Sequence, residues 1–294
     1  MSENMQEIKR RMKSIQSTQH ITNAMRLVSA SKYKKAKYIF DRSNEQLGQV
    51  TEIISKILGR NRVCLANKAE TSDEDQIKTA VVVISSSKGL CGGFNNAVIK
   101  TTEEELGNIS KDDIEIYAVG SKAKDYFQLR GYNVAGEYCD APEKISFADV
   151  KAISTPIIEK YEKGQVGRVL IVYTEYINSL KQEPKVRQLI PFSEGELNND
   201  ADEEKTDLDF EFEFSPSEDV VIEYMMPKYF ELSLFNAVIE SATCEHAARR
   251  TAMENATKNA KDILGNLSLT YNRVRQQAIT NELIEIVSGS ESQK

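Results

Sequence analysis

The amino-acid sequence predicts an α/β fold that combines a long coiled coil, antiparallel or obliquely wound, with a central α/β domain built on a mostly parallel sheet. Two proline-poor stretches at the chain ends repeat apolar or small residues at helical spacing. Between them, short runs rich in β-branched residues alternate with helical stretches. The 294 residues give a prior of about two domains, one formed from both ends and one from the middle.

The N-terminal stretch contains no proline from Asn4 to Gly59, and Gly48 is the only glycine before Gly59. Its apolar and small residues recur at steps of three, four or seven, a near-heptad pattern typical of coiled coils. The predicted seam comprises Ile8, Met12, Ile15, Thr22, Met25, Ser29, Tyr33, Ala36, Phe40, Leu47, Val50, Ile54 and Ile57. We therefore expect a coiled-coil helix over residues 1–60, which is long for a globular protein.

The C-terminal stretch has no proline after Pro227 and repeats this pattern, which predicts a second coiled-coil helix over 217–294. Its predicted seam comprises Phe235, Ile239, Ala242, Arg249, Met253, Ala256, Ala260, Ile263, Leu267, Val274, Ala278 and Ile284. Arg249 lies on the seam, where a charge is unfavourable unless it is paired or directed to a partner. We expect the helix to end near 288–289, because Gly289 can adopt the left-handed conformation of a helix C-terminus.

The middle of both seams is small or polar, so the two backbones can approach closely while they bury little apolar area. A coil that is long, thin and weakly apolar is poorly suited to stand alone. We therefore expect it to be enclosed by another structure.

The middle of the chain, residues 61–216, is predicted to form a Rossmann-like α/β domain. Apolar runs at 78–86, 114–119 and 168–173 predict strands, and helical stretches lie near 95–107, 121–130 and 146–164. Strands that alternate with helices at this spacing predict a parallel sheet with right-handed crossovers. A further strand is expected at 185–192, and an edge strand or hairpin within the acidic loop 194–216, where Phe210, Phe212 and Phe214 alternate with acids.

Composition excludes several classes of protein. The longest near-continuous apolar run, at 80–84, is too short for a membrane span, and the polar N-terminus argues against a secretory signal. The four cysteines are too sparse for a disulfide scaffold, so we expect free thiols. His20 and His246 are the only histidines, which excludes a histidine-rich metal site. The lack of a targeting segment favours the cytoplasmic side of a bacterial membrane over an organelle.

Charge is unevenly distributed along the chain. Residues 1–45 contain ten Lys or Arg and four Asp or Glu, whereas residues 194–223 contain thirteen acids and one base. A basic helix can meet nucleic acid, anionic lipid or an acidic protein. Aromatic residues for base stacking are few in this stretch, and the pI near 5.2 argues against nucleic acid as the partner.

A glycine-rich turn follows the first predicted strand, at 85–95. Its Gly89, Gly92 and Gly93 form G-x-x-G-G, which matches neither dinucleotide-binding nor P-loop fingerprints. Cys91 is a weak candidate for a nucleophile, because neither histidine is near it in sequence. We interpret the turn as one that brings backbone close to a partner, with phosphate binding as the alternative.

Several motifs, spread over essentially the whole chain, resemble one family. They are IKRRMKSI at 8–15, TQHITNAM at 18–25, KGLCGGFN at 88–95, EHAARRTAMENAT at 245–257, YNR at 271–273, RQ at 275–276, ITNEL at 279–283 and EIVSG at 285–289. Together they are similar to the gamma subunit of F-type ATP synthases. Ser87, Lys88, Asn281 and Ser290 depart from that family's usual residues but are chemically close to them.

The resemblance implies a rotating central stalk that couples ion flow to ATP synthesis or hydrolysis and has no catalytic residue, metal or cofactor of its own. Its implied partners are the alpha, beta, delta and epsilon subunits and the membrane c-ring, with peripheral membrane association through the complex and no nucleic acid. Nucleotide chemistry in that family belongs to the beta subunits.

The resemblance also implies which residues contact partners. The residues matched to contacts with the alpha–beta hexamer are Met25, Arg249, Arg275, Gln276, Thr280 and Glu282. The loop matched to a beta-facing position comprises Lys88, Gly89, Leu90, Cys91, Gly92 and Gly93.

Two other functions are compatible with parts of the sequence. One is an α/β enzyme with a coiled-coil dimerisation arm, which would need a phosphate-binding loop and a titratable pair in a cleft. The other is a basic coiled-coil protein that binds nucleic acid, whose binding would depend on salt.

Overall fold

The computed structural model describes residues 2–60, 78–107, 109–138, 142–190 and 217–291. In chain order its main elements are α1 (Ser2–Arg60), β1 (Lys78–Ile84), α2 (Phe94–Leu106), β2 (Ile114–Val119), α3 (Ser121–Leu129), β3 (Asn133–Tyr138), α4 (Phe147–Glu162), β4 (Val166–Tyr176), β5 (Gln182–Ile190) and α5 (Glu218–Glu291). The strand or hairpin predicted around 210–214 lies outside the described residues, as do Cys64 and Cys139.

The five strands form one sheet in the order β3-β2-β1-β4-β5. Four strands are parallel neighbours and β5 runs antiparallel to β4, which confirms the mostly parallel sheet. The sequence did not predict β3, because its exposure alternates along the strand and it therefore lacks a continuous apolar run. Successive side chains of a strand point to opposite faces of the sheet, so this alternation is expected where one face of the strand is covered and the other is solvated.

Both faces of the sheet are covered by helices. On one face, Ala80, Val82 and Ile84 of β1 share a core with α4 and with residues of α1 and α5, including Phe40 and Leu234. On the other face, Val81 and Val83 pack with α2 and α3. Because β1 is buried on both faces, its sequence is an unbroken apolar run, as parallel strands in such sheets usually are.

The chain divides into two compact units. The larger comprises residues 31–248, and therefore includes the sheet together with parts of α1 and α5. The smaller comprises residues 1–30 and 249–294, the first part of α1 and the last part of α5. The division predicted from the sequence, at residues 60 and 216, follows the ends of the helices instead and stays a prediction.

In the larger unit the two long helices pack against each other in antiparallel directions. Asn236 Nδ2 of α5 donates a hydrogen bond to Asn44 Oδ1 of α1 at 3.4 Å. Farther along α1, Leu47 and Ile54 share a cluster with Tyr229, which comes earlier in α5. The most buried positions of α1 in this unit follow the predicted seam, with Ser43 as an unpredicted member.

In the smaller unit the helix pair is closed by small and polar side chains, as the sequence predicted. Thr257 Oγ1 donates to Thr22 Oγ1 at 2.8 Å, and Ser29, Met253 and Ala260 are buried. Short side chains bring two backbones close but bury little apolar area, so this pair gains less from the hydrophobic effect than the core around the sheet does.

Three predictions about α5 are wrong. Ile263 is 41% exposed and the half-buried Leu264 takes its place; positions three and four after Ala260 both suit a helical stripe, so spacing alone could not choose. Ile284 is 57% exposed. The helix also continues through Gly289 to Glu291, since a glycine permits a helix to end without requiring it.

Within the described residues, none of the helices carries an apolar stretch long enough to cross a membrane.

Candidate partner-binding site

The loop after β1, residues 85–93, is held in a defined shape by the first turn of α2. The backbone N–H of Ser86 donates to Asn95 Oδ1 at 2.9 Å, and Asn95 Nδ2 donates back to Ser86 Oγ at 2.8 Å. The Ser86 hydroxyl donates in turn to the carbonyl of Lys88 at 2.6 Å. This closed set of hydrogen bonds fixes where the loop leaves the sheet and where it re-enters the helix.

On its protein-facing side, the loop is anchored by the side chains of Cys91 and Phe94. Cys91 is 2% exposed and packs with Phe94 and Cys244 of α5 in a small apolar cluster. Asn95 Nδ2 also donates to Cys91 Sγ at 3.2 Å. The side chain of Cys91 is therefore directed into the protein, and its role in the loop is to hold it.

The opposite side of the loop is presented to solvent. Lys88, Gly89, Gly92 and Gly93 are exposed, and Leu90 is 62% exposed with a backbone φ of +64°. A leucine in the left-handed region is strained, and strain of this kind is found where a site needs a particular side-chain direction. An exposed leucine on a braced loop is a suitable contact for another protein.

The carboxyl ends of β1 and β4 mark the point where the strand order reverses, which is where open α/β sheets usually bind ligands. Here the chain's own helix α5 lies at this point. The Thr174 N–H donates to Ser241 Oγ at 3.0 Å, and Cys244 Sγ contacts the carbonyl of Thr174 at 3.5 Å. α5 therefore lies against the end of β4, beside the glycine-rich turn.

Glu240 is the most strongly perturbed acid at this contact. Burial raises its pKa to about 7, although the N–H of Tyr176, which donates to its Oε1 at 2.8 Å, acts in the opposite direction. The charge of Glu175 raises the pKa further, while Lys185 and Arg187 lower it. Burial also raises the pKa of the Cys244 thiol, so that side chain stays protonated and is a poor nucleophile.

Met25 and Arg249 both lie in the smaller unit, on α1 and α5 respectively. Met25, a predicted seam position, is half-buried, and Arg249 is 7% exposed. Arg249 is thus buried, and its place on the seam stays a prediction.

The four matched residues near the end of α5, namely Arg275, Gln276, Thr280 and Glu282, are all exposed. The Thr280 hydroxyl donates to the carbonyl of Gln276 at 2.9 Å, so these two lie one turn apart on the same side. At 100° per residue, that side faces away from the half-buried stripe that contains Val274 and Ala278.

An apolar surface on the last turns of α5 was not identified as a contact from the sequence. Its members, all between 48% and 68% exposed, are Ile279, Leu283, Ile284, Ile286 and Val287. A group of exposed apolar side chains of this kind marks a site of protein association. The signal in the sequence was the density of apolar residues in these last turns.

Comparison with known proteins places the chain in a family. A sequence model described as "ATP synthase" matches residues 4–292. The ATP synthase gamma chain of Alkaliphilus metalliredigens is 38% identical over the whole of both chains. The sodium ion specific ATP synthase gamma chain of Acetobacterium woodii is 35% identical over 99% of each.

Structural comparison agrees at the level of the fold. A chain in the Euglena gracilis mitochondrial ATP synthase structure, titled OSCP/F1/c-ring in rotational state 3, superposes with a TM-score of 0.67. It is 20% identical and covers 99% of this chain and 95% of its own. With full-length relatives well above 30% identity, this chain belongs to the ATP synthase gamma chain family.

Proposed function

We propose that this chain is the rotating central stalk of an ATP synthase, which couples ion flow through a membrane c-ring to ATP synthesis or hydrolysis at the beta subunits. The observation that carries the proposal is the match to ATP synthase gamma chains along the full length. The described surfaces suit it, because they offer contacts for partners and α5 lies against the sheet end where an α/β enzyme would bind its substrate.

The partners follow from this assignment. The coiled coil, residues 1–60 with 217–294, is the part enclosed by the alpha and beta subunits, and the α/β domain, residues 61–216, meets epsilon and the c-ring. The delta subunit is the remaining partner in the proposed complex. The chain then associates with the membrane peripherally, through the complex, on the cytoplasmic side of a bacterial cell membrane; both relatives named above are bacterial.

The mechanism is asymmetric contact. A single shaft cannot make the same contacts with each of several beta subunits around it, so each site is biased differently. A contact shifts a conformation only by the difference between its energies in the two states. Rotation of the shaft moves that bias from one beta site to the next. The torque on the shaft thereby changes the affinity of each beta site for nucleotide.

The surfaces differ in the kind of contact they can make. Residues 1–45 are strongly basic, and charge attraction between solvated groups varies gradually with position, so it tolerates sliding. The apolar end of α5 instead suits contact with an apolar surface of a partner. We assign hexamer contacts to Met25, Arg249, Arg275, Gln276, Thr280 and Glu282, and beta contacts to loop 88–93, where exposed Lys88 and Leu90 touch the partner and buried Cys91 holds the loop.

Reconstitution tests the assignment. The purified chain is expected to show no ATP hydrolysis, and its addition to alpha and beta subunits to restore hydrolysis coupled to rotation. Full rotation-coupled activity without the chain would overturn the proposal. A homodimer that carries bound nucleotide and recruits no other subunit would instead support an α/β enzyme with a dimerisation arm.

Met25→Lys tests one contact. In the proposed assembly residue 25 faces acidic loops of the beta subunits, as the family resemblance implies. The new cation adds ionic contacts with those loops, so ion pumping per ATP should fall more than the rate of ATP hydrolysis. Met25→Leu is the control, because it keeps the volume and the apolar character of the side chain. An unchanged ratio of pumping to hydrolysis in Met25→Lys would show that residue 25 is not at such a contact.

A further inference from the structure

The end of β4 is the point where the sheet is hydrogen-bonded to both long helices. The hydroxyl of Tyr176 lies 2.6 Å from the hydroxyl of Tyr33 on α1. The backbone N–H of the same residue donates to Glu240 Oε1 on α5 at 2.8 Å. One residue of the sheet therefore holds α1 through its side chain and α5 through its backbone.

Lys37 and Phe40 of α1 complete the contact with the Tyr176 ring. The Lys37 Nζ lies 4.6 Å from the centre of the Tyr176 ring and 4.9 Å from that of Phe40, within the range of cation–π attraction. It also pairs with Asp41 at 2.5 Å. The two aromatic rings meet edge to face at 6.2 Å.

A second residue of β4 strengthens the contact with α5. Thr174, two positions earlier, accepts from and donates to α5 through its backbone, with Ser241 Oγ at 3.0 Å and Cys244 Sγ at 3.5 Å. Residues 174 and 176 are therefore hydrogen-bonded to residues within about one turn of α5. Apolar packing alone is non-directional and allows helices to slide, whereas hydrogen bonds weaken steeply when their angles change.

We propose that Tyr176 is a positioning residue for torque transfer: it fixes α1 and α5 at one end of the sheet, so that the helices cannot turn relative to the α/β domain. This inference rests on the proposed rotary function. A twist applied to the helices is resisted by these directional contacts together with the close-packed apolar core beside them. The hydrogen bond between the Tyr33 and Tyr176 hydroxyls joins α1 directly to β4.

The test uses tyrosine-to-phenylalanine variants in the assembled complex. Tyr176→Phe and Tyr33→Phe each remove the link between hydroxyls, yet keep the rings and the Tyr176 N–H bond to Glu240. Tyr126→Phe is the matched control: it removes a tyrosine hydrogen bond of the same kind, to Glu103 at 2.9 Å, on the other face of the sheet. ATP hydrolysis and ions pumped per ATP are measured for each variant, for wild type and for the double Tyr33→Phe/Tyr176→Phe.

Both single variants and the double variant are expected to pump fewer ions per ATP than wild type. The decrease should be the same in all three variants, and the rate of ATP hydrolysis should be maintained. Loss of one hydrogen bond should raise the opening equilibrium of the link about fivefold, and the double variant loses no more than either single one. Tyr126→Phe should pump like wild type.

Two outcomes would contradict the inference. If the Tyr33 and Tyr176 variants pump as well as Tyr126→Phe, the link carries no torque. If the double variant is impaired by the sum of the two single effects, the two hydroxyls act separately. Failure of the wild-type chain to restore coupled hydrolysis would count against the rotary function itself and is seen in the same experiment.

Discussion

Replacement of Gly120 by alanine is expected to lower the free energy of unfolding by roughly 3 kcal/mol or more. Gly120 connects β2 to α3 with a φ of +95°, and a Cβ there would lie 2.2 Å from the carbonyl oxygen of Ser85. That oxygen belongs to the backbone at the end of β1, which cannot move aside without breaking the Ser85 N–H bond to Val119 O at 2.8 Å. The alanine variant therefore combines backbone strain with a collision.

Gly131→Ala separates the two effects. Gly131 also has a positive φ, +78°, but no atom of the described residues lies within 4 Å of the Cβ position, so only the backbone strain, about 1–2 kcal/mol, is expected. Urea unfolding of the full chain, followed by circular dichroism, gives both values. Equal losses in the two variants would mean that the approach of Gly120 to Ser85 contributes nothing. A chain weakened at this turn should also fail to assemble, since the loop at 85–93 begins at the same strand end.

Glu240 is expected to make the chain less stable as the pH rises from about 4.5 to about 7. Its pKa is about 7 in the folded state, because the side chain is buried, against an ordinary value of 4.5. Between these values the folded state holds a proton that the unfolded state has released, so stability decreases with pH. The total loss is at most about 3 kcal/mol.

Glu240→Gln should remove this pH dependence. Glutamine keeps an acceptor for the Tyr176 N–H and has no charge to bury, so the variant should be more stable than wild type above pH 7 and similar near pH 5. Glu183→Gln on the neighbouring hairpin is the control, since Glu183 is exposed and paired with Lys181. Thermal melting midpoints at several pH values between 5 and 8 provide the comparison. Parallel curves for wild type and Glu240→Gln would contradict the prediction.

The fold was predictable where a single physical requirement controls the sequence. β1 and β2 are buried on both faces, which demands unbroken apolar runs. The seam of α1 was predictable for a related reason, since one stripe of a long helix is covered and the rest is solvated. β3 was missed because its residues alternate in exposure, and the place of Leu264 in the seam was missed because helical spacing admits Ile263 equally.

The candidate site was predictable as a set of segments, but its internal arrangement was not. The family motifs located the loop at 88–93 and the end of α5. They did not show that Cys91 is buried while Leu90 projects, nor that the end of α5 exposes an apolar group. Those facts depend on which neighbouring chain segments are present, and a motif contains no information about segments more than a hundred residues away.

The sequence by itself therefore determined the two long helices, the alternation of strands and helices, the unequal distribution of charge and the family to which the chain belongs. These are local or cumulative properties, readable from periodicity and motif. Only the tertiary structure decided that α5 lies against the end of β4, that Glu240 is buried there, and that Tyr176 contacts Tyr33 and Glu240, 143 and 64 residues away. Such contacts arise from the packing of distant segments, which no local pattern of residues encodes.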